Sequence, residues 1–285
     1  MTPGVHVLPG WYPLMRAAAM QRAPIARMLA GDPLSLSRQD GGRIHAACAL
    51  TGAPRPAAER DGWIFARTGA DAGDLPACTP LIDGPSRQLI LDGTVRAGLG
   101  DVGENILDTT HTSVVHEGYL RRPGARRAVT ARVANGESWI AATYAPGAAP
   151  SGWGARLLGA NRYTITDTFR APSIAEVTYT DQSRRVFSAR FWLTPISADQ
   201  TYVAATLAVP GTGALSRLKL AALRVFFLRI FAEDRRILEL IAVNRAAHAD
   251  APLTFAPQDI LRPGINAILM GRPPLPAAPS VALQV

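Results

Sequence analysis

The sequence has 285 residues, of which 48% are hydrophobic and 18% charged, the ordinary balance of a globular protein with one large domain or two small ones. Two cysteines, Cys48 and Cys78, exclude a disulfide framework and any four-cysteine metal site built by this chain alone. The formal net charge of +8 comes from scattered arginines without interleaved aromatic residues, so we predict no nucleic-acid binding and favour an acidic protein partner.

The sequence contains no segment that predicts export or membrane insertion. Its first residues, MTPGVHVLPGWYPLM, lack a positive stretch followed by an apolar run, so no signal peptide is predicted. The most apolar segment, Leu218–Phe231, is interrupted by three basic residues and is too short to span a bilayer. We therefore expect a cytoplasmic protein that has no membrane partner.

Residues 1–80 are rich in glycine, proline and turn signals, which predicts a small β subdomain. Asp40, Gly41 and Gly42 form a turn signal between two short apolar runs, as in a β-hairpin. A linking stretch follows at 81–100. The strands predicted in these two regions are Leu34–Arg38, Arg43–Cys48, Gly62–Arg67 and Arg87–Leu91.

Residues 81–285 are expected to form an α+β domain, an antiparallel sheet with helices on one side. A helix is predicted over 103–120 and a long one over Leu215–Arg245, and the proline-rich tail after Ala251 is expected to be extended. Alternating patterns rich in Val, Ile, Thr, Tyr and Trp predict strands at Arg127–Val133, Ser138–Tyr144, Arg162–Phe169, Ile174–Tyr179, Arg185–Leu193 and Thr201–Val209.

Residues 104–116, ENILDTTHTSVVH, contain two of the five histidines, His111 and His116, and an aspartate, Asp108, three positions before the first. Two imidazoles and one carboxylate on one face of Fe(II) leave other positions open for dioxygen and substrate. In a regular helix, residues five apart are about 140° apart around the axis, so both rings reach one metal only if the helix is irregular, as at a π-bulge. The alternative is a pair of surface or capping histidines.

A carboxylate ligand has to come from elsewhere in the chain. The second acidic cluster on an apolar helix holds Glu233 and Asp234, with Glu239 one and a half turns later. The alternative is a solvated acidic face paired with nearby arginines by helical spacing. Spacing alone does not choose among the three carboxylates.

The string Glu-Asn-x-x-Asp-x-x-His-x-x-x-x-His resembles the iron-binding segment of Rieske non-haem iron oxygenase α-subunits, in the branch of demethylases and hydroxylases. Further similar segments are GWYP at 10–13, RQDGGRIHA at 38–46, LTPI at 193–196 and DQT at 199–201. The resemblance implies a helix-grip catalytic domain, a curved antiparallel sheet with a long C-terminal helix. It implies Fe(2+) bound by His111, His116 and Asp234, with Asp108 relaying electrons and orienting a ligand histidine.

One departure from the family concerns the [2Fe-2S] cluster, which needs Cys-x-His and Cys-x-x-His. Leu50 stands at the histidine position after Cys48, and no Cys-x-x-His occurs in the chain. Residues 1–80 are therefore expected to be a degenerate Rieske-like subdomain without a cluster. Family enzymes need two electrons per oxygen activated, so we expect a Rieske-bearing subunit or reductase as partner, in a trimer or hetero-oligomer.

The expected function is hydroxylation or demethylation of a small organic substrate, aromatic or heterocyclic, with O2. Candidate pocket residues are Trp139, Tyr163, Phe191 and Trp192, but adjacent strand residues point to opposite faces, so at most one of the last two lines the pocket. The alternatives are a retired structural subunit of a hetero-oligomeric oxygenase and a helix-grip protein that only binds a ligand. Iron content distinguishes the enzyme from both.

Overall fold

A computed structural model describes residues 5–70, 73–75, 77–117, 128–145, 163–275 and 280–284. The strands are β1 Gly10–Arg16, β2 Ile25–Leu29, β3 Asp32–Arg38, β4 Ile44–Cys48, β5 Pro54–Arg55, β6 Ala57–Arg60, β7 Trp63–Thr68, β8 Ser86–Val95, β9 Ala128–Gly136, β10 Trp139–Tyr144, β11 Thr164–Arg170, β12 Ile174–Asp181, β13 Arg184–Ser197, β14 Gln200–Pro210 and β15 Ser280–Gln284. The α-helices are α1 Leu99–Leu107, α2 Ala214–Ala247 and α3 Arg262–Leu269.

The first seven strands form two small antiparallel sheets, one in the order β1-β7-β6 and one in the order β2-β3-β4-β5. The predicted hairpin is confirmed, since β3 and β4 pair up to Arg38 and Ile44. Gly41 and Gly42 between them have φ of +82° and +83°, a backbone conformation that glycine adopts without steric cost.

The remaining strands form one eight-stranded antiparallel sheet in the order β15-β9-β10-β11-β12-β13-β14-β8. The strands predicted from the alternating patterns are confirmed at β9 to β14, and the strand predicted near Arg87 is β8. Arg127 and Arg162, the first residues of two of the predicted strands, lie outside the described residues. Together with the long helix, this sheet confirms the predicted α+β class.

The large sheet separates the helices from the two small sheets. On β13, Phe187 and Leu193 join the core beneath the helices, whereas Trp192 packs on the other face against Trp63 and Phe65 of β7. The Trp63 indole donates a hydrogen bond to the Thr206 hydroxyl of β14 at 3.0 Å. The small sheets are thus fixed to the outer face of the large sheet, and its inner face is left for the helices.

The long helix α2 confirms the helix predicted over Leu215–Arg245. It packs against β8 and β14, and its Leu223 and Phe226 are buried. The Phe231 ring occupies the space that a Cβ at Gly93 of β8 would fill. None of the described helices has both the length and the apolarity that a membrane span requires.

Two predictions about helices and the tail are wrong. The helix predicted over 103–120 ends at Leu107, because Asp108 has extended dihedrals (φ −80°, ψ 111°), and 118–120 lie outside the described residues. The tail after Ala251 is not simply extended, since it contains α3, which has a proline in its first turn, and β15, which pairs with β9.

A buried ion-pair network joins α1 to α3. The Arg262 guanidinium, in a residue only 4% exposed, donates to Asp101 at 2.7 Å and to Glu104. Arg245 near the end of α2 also pairs with Asp101, at 2.7 Å. The network therefore ties together α1, α2 and α3.

We expect Arg262→Met to destabilise the protein by about 3 kcal/mol, because it removes one of the two guanidinium partners of Asp101 and the partner of the half-buried Glu104. The retained Arg245–Asp101 pair keeps the loss at the lower end of what breaking a buried pair costs. Urea unfolding measures the change, with Arg217→Met on the exposed side of α2 as the matched control. Equal stability losses in the two variants would contradict the role given to the network.

Candidate metal site

The segment after α1 is folded around the carboxylate of Asp108. One carboxylate oxygen accepts from the backbone N–H and the hydroxyl of Thr110, both at 2.7 Å, and the other accepts from the His111 N–H at 3.1 Å. These bonds begin a 3-10 turn, His111–Ser113, where α1 would otherwise have continued. His111 and His116 are therefore not on one regular helix, and the angle of about 140° between helix residues five apart does not keep their rings from one metal ion.

His111, His116 and Asp234 of α2 come together, each offering one ligand atom within 4.8 Å of the others. The Nε2 atom of His116 lies 2.9 Å from Asp234 Oδ1, and the Nε2 atom of His111 lies 3.5 Å from the same oxygen. Ligand atoms about 2.1 Å from a metal and at right angles are about 3 Å apart, so these separations suit a shared ion.

The acidic pair on α2 holds the His116 ring on both sides. Glu233 Oε2 lies 2.9 Å from Nδ1, while Asp234 faces Nε2. Accepting the Nδ1 proton fixes the tautomer whose Nε2 lone pair points at Asp234. Of the three carboxylates that spacing left open, Asp234 faces both rings, Glu233 orients one, and Glu239 lies by the backbone N–H of Arg96 at 3.5 Å.

The Nε2 atoms of the two rings fit a metal because they make no well-formed hydrogen bond with any described residue, although both lie within ion-pair distance of Asp234. Among the described residues, His111 Nδ1, His111 Nε2 and His116 Nε2 are buried and have no hydrogen-bond partner. An unpartnered polar atom in the interior costs about 1–3 kcal/mol, so such groups are rare in native proteins. A bound ion with a preference for imidazole and carboxylate would satisfy both Nε2 atoms, with the Asp234 oxygen as a third ligand.

The charges of these groups depend on one another. Burial lowers the pKa of His111, but the carboxylates of Asp108 and Asp234 outweigh burial and raise it to about 9. Burial raises the pKa of Asp108 and of Asp234, but other groups outweigh it: His111 and the Thr110 hydrogen bonds lower the pKa of Asp108, and His111 and His116 lower that of Asp234. Asp108 Oδ2 is 3.7 Å from His111 Nδ1, which is longer than a hydrogen bond, so the contact with this ring is electrostatic.

A cavity of about 180 Å³ adjoins the site between the sheet and α2. Its walls are mostly apolar, and its polar lining residues include Asn105, Asp108, Tyr144, Asp167, Asp234 and Arg235. Phe191 lines this cavity and its neighbour Trp192 does not, which confirms that at most one of the two does so. Trp139 and Tyr163 do not line it, so the prediction is wrong for these two residues. Trp192 faces the small sheets and Trp139 lies at the surface.

The sequence did not reveal the positions of two acidic residues near the site, Glu233 as the partner of a candidate ligand ring and Asp167 as part of the cavity wall. Glu233 was weighed only as a ligand, although its place beside Asp234 puts it within reach of the same ring. Asp167 lies on the same face of β11 as Ile165 and Phe169, and all three residues are buried. An aspartate at an inward, otherwise apolar position of an alternating strand was the available signal.

Comparison with known proteins gives one family match. The family model described as the vanillate O-demethylase oxygenase C-terminal domain matches residues 95–258, which include His111, His116 and Asp234. No curated protein sequence matches the chain significantly.

Several solved structures have the same fold. Dicamba monooxygenase bound to dicamba has a TM-score of 0.75 at 17% identity, over 93% of this chain and 96% of that chain. A variant of NdmA from Pseudomonas putida CBB5 with theobromine has a TM-score of 0.66 at 16% identity, over 92% and 89%. The oxygenase–ferredoxin complex of carbazole 1,9a-dioxygenase has 0.62 at 14%, over 90% and 88%. Another dicamba monooxygenase structure contains non-heme iron.

The raised pKa of His111 predicts how the stability of the metal-free protein depends on pH. The stabilisation from the charged ring is complete below the unfolded pKa of about 6.5 and is lost as the pH rises through about 9. We expect wild type to lose up to about 3 kcal/mol relative to His111→Gln between these limits, because the ring is largely buried.

Chemical denaturation in the presence of a chelator, from pH 6 to 10, measures this difference. His45→Gln, at an exposed position on β4, is the matched control and is expected to follow wild type. Parallel curves for wild type and His111→Gln would contradict the electrostatics described for the site.

Proposed function

This chain belongs to the family of vanillate O-demethylase oxygenase C-terminal domains, a family of Rieske-type oxygenases, and we propose that it binds one Fe(II) and uses O2 to hydroxylate or demethylate a small organic substrate. The observation that carries the proposal is the pair of unpartnered Nε2 atoms, of His111 and His116, facing Asp234 beside an apolar cavity. In this proposal residues 1–80 are a subdomain without a cluster, and 81–285 are the iron domain.

His111, His116 and Asp234 are the proposed ligands. The iron supplies a redox-active centre with positions open to dioxygen and substrate. Glu233 accepts the Nδ1 proton of His116 and keeps Nε2 directed at the ion. Neutral rings are required for binding, so loading with metal displaces the proton that His111 holds in the metal-free protein.

The cavity holds the substrate next to these ligands. Asp234 and Asn105 contribute to its wall, so a molecule in the cavity lies beside the ligand carboxylate. The remainder of the wall is dominated by aliphatic and aromatic side chains, which exclude water and favour an apolar substrate, aromatic or heterocyclic.

Electrons are proposed to come from a Rieske cluster on another polypeptide. Leu50, at the position of a cluster histidine, is 80% exposed in a turn closed by hydrogen bonds between Cys48 and both Gly52 and Ala53. The chain has only one further cysteine, Cys78, and a Rieske cluster needs two cysteines and two histidines in paired motifs. For carbazole 1,9a-dioxygenase, the similar structure is itself a complex of oxygenase and ferredoxin.

Asp108 is the proposed bridge by which those electrons would pass from the partner's cluster to the metal site, without being reduced itself. Its carboxylate touches the backbone of His111, and its side chain remains 29% exposed, so it lies between the candidate ligand and the surface. The assembly that follows is a trimer or hetero-oligomer in which a cluster-bearing subunit or reductase docks near Asp108. The net charge of +8 favours an acidic partner and association that weakens with salt.

The alternatives remain a retired structural subunit and a helix-grip protein that only binds a ligand. The complete set of two histidines and one aspartate, with an orienting Glu233, argues against both, because neither function requires these buried groups to converge. Iron content of the purified chain separates the proposal from the alternatives.

We expect wild type to bind about one iron per chain, and His111→Ala, His116→Ala and Asp234→Ala each to lose it while keeping the fold. Glu233→Gln is expected to weaken iron binding by about 10–100-fold, because it disturbs the partner of a ligand rather than a ligand. Elemental analysis and circular dichroism measure both properties, with Glu239→Gln as the matched control that keeps iron. Full iron retention in Asp234→Ala would remove that residue from the site.

Turnover is expected only with a Rieske-bearing partner, and Asp108→Asn should keep its iron but lower the rate about 100-fold, because it removes the charge beside the His111 ring and leaves the ligands in place. The measurement is product formation with NADH, reductase and partner, together with iron content. Thr110→Val removes a hydroxyl that donates to Asp108 but retains the carboxylate, so it tests for loss of local structure alone.

Two results would contradict this proposal for electron supply. One is sustained turnover by the lone chain with a generic reductase, and the other is a wild-type rate in Asp108→Asn. Electron paramagnetic resonance of the reduced lone chain serves as the control, since it should lack the signal of a [2Fe-2S] centre.

A further inference from the structure

Asp167 is an acidic residue on the apolar face of β11. The strand alternates between half-buried threonines and buried residues, and Asp167 follows the buried Ile165 and precedes the buried Phe169. Its direct neighbours across the sheet are Ala142 on β10 and Val177 on β12, which carry no polar side chains. Nothing in the sheet itself therefore explains a carboxyl group at this position.

The Asp167 Oδ1 atom also lacks a hydrogen-bond partner among the residues that the structure describes. The residue is 3% exposed, and this oxygen is buried. Burial, and then the charge of Asp108, raise its pKa well above the usual range, and no cation offsets them. A carboxyl group that served only the fold would be expected to have a donor beside it.

What the carboxyl does have beside it is the cavity. Asp167 contributes to the wall, as do Tyr144 and Asp108 nearby, whereas most of the other wall atoms belong to apolar side chains. An apolar cavity of about 150 Å³ in another protein accepts benzene, so one of about 180 Å³ suits a molecule of one or two small rings.

We propose that Asp167 Oδ1 accepts a hydrogen bond from an N–H or O–H group of the substrate, which makes the substrate a small, mostly apolar ring compound with a donor at one end. The inference rests on the proposed function and names the substrate class of the same site. It holds for either charge state, because a carboxylic acid and a carboxylate both retain an oxygen that accepts.

The pairing would also give the site its specificity. A ring that lacks the donor leaves a buried carboxyl oxygen unpartnered in the complex, and sites of this kind reject such analogues more strongly than they reject a change in apolar size. The donor end would lie in the part of the cavity that Asp108 and Tyr144 share with Asp167, so the hydrogen bond orients the ring relative to the metal site.

The test uses two probes of nearly identical shape: indole, which has an N–H donor, and benzofuran, which does not. Calorimetric titration of both into the iron-loaded full chain is expected to give about tenfold tighter binding of indole. Asp167→Leu removes the acceptor and should abolish that preference, whereas Asp167→Asn keeps an acceptor oxygen and should retain it. Thr166→Val, on the opposite face of the same strand, is the matched control and should bind both probes as wild type does.

Equal affinity of wild type for the two probes, failure of both to bind, or an indole preference that survives in Asp167→Leu would each overturn the inference. Benzylamine as a third probe separates the two charge states, because a cationic donor requires the carboxylate and should lose affinity in Asp167→Asn, while a neutral donor should not.

Iron content, measured on the same samples, separates this inference from the proposed function. A chain that holds iron but ignores the donor contradicts only the role of Asp167. A chain without iron that still prefers indole contradicts only the oxygenase proposal.

Discussion

The arrangement of the site depends on one imidazole ring held from two sides. His116 is 1% exposed and lies between two consecutive residues of α2, with Glu233 at Nδ1 and Asp234 at Nε2. The contact joins the long helix to the turn after α1, two segments more than one hundred residues apart in the sequence. It orients the Nε2 atom toward Asp234, which the Nε2 atom of His111 also faces.

The large sheet gives the molecule two different faces, and the alternation along β13 shows how. Phe191 belongs to the cavity wall, while its neighbour Trp192 packs against Trp63 and Phe65 of the small sheets. The small sheets therefore support the sheet from outside without entering the cavity. On the inner side, the apolar wall and the group of carboxyls at one end create the contrast on which selective binding of a partly polar ring would depend.

The strands could be predicted from the sequence because burial on one face leaves a periodic pattern, as in Thr164–Arg170. The long helix could be predicted because its 34 residues contain no proline or glycine. The end of α1 could not, because it depends on the backbone of Asp108 and on the bonds that its carboxylate makes with Thr110 and His111. Spacing did not distinguish Glu233 from Asp234, since neighbouring helix residues differ only in where each meets a distant ring.

The most direct test of the central claim is a crystal structure of the iron-loaded protein with anomalous scattering measured at the iron absorption edge. A single peak bounded by His111 Nε2, His116 Nε2 and a carboxylate oxygen of Asp234, with Glu233 still at His116 Nδ1, is the predicted result. A peak elsewhere, or an iron-loaded crystal in which Glu233 or Glu239 replaces Asp234, would contradict the arrangement of ligands described here.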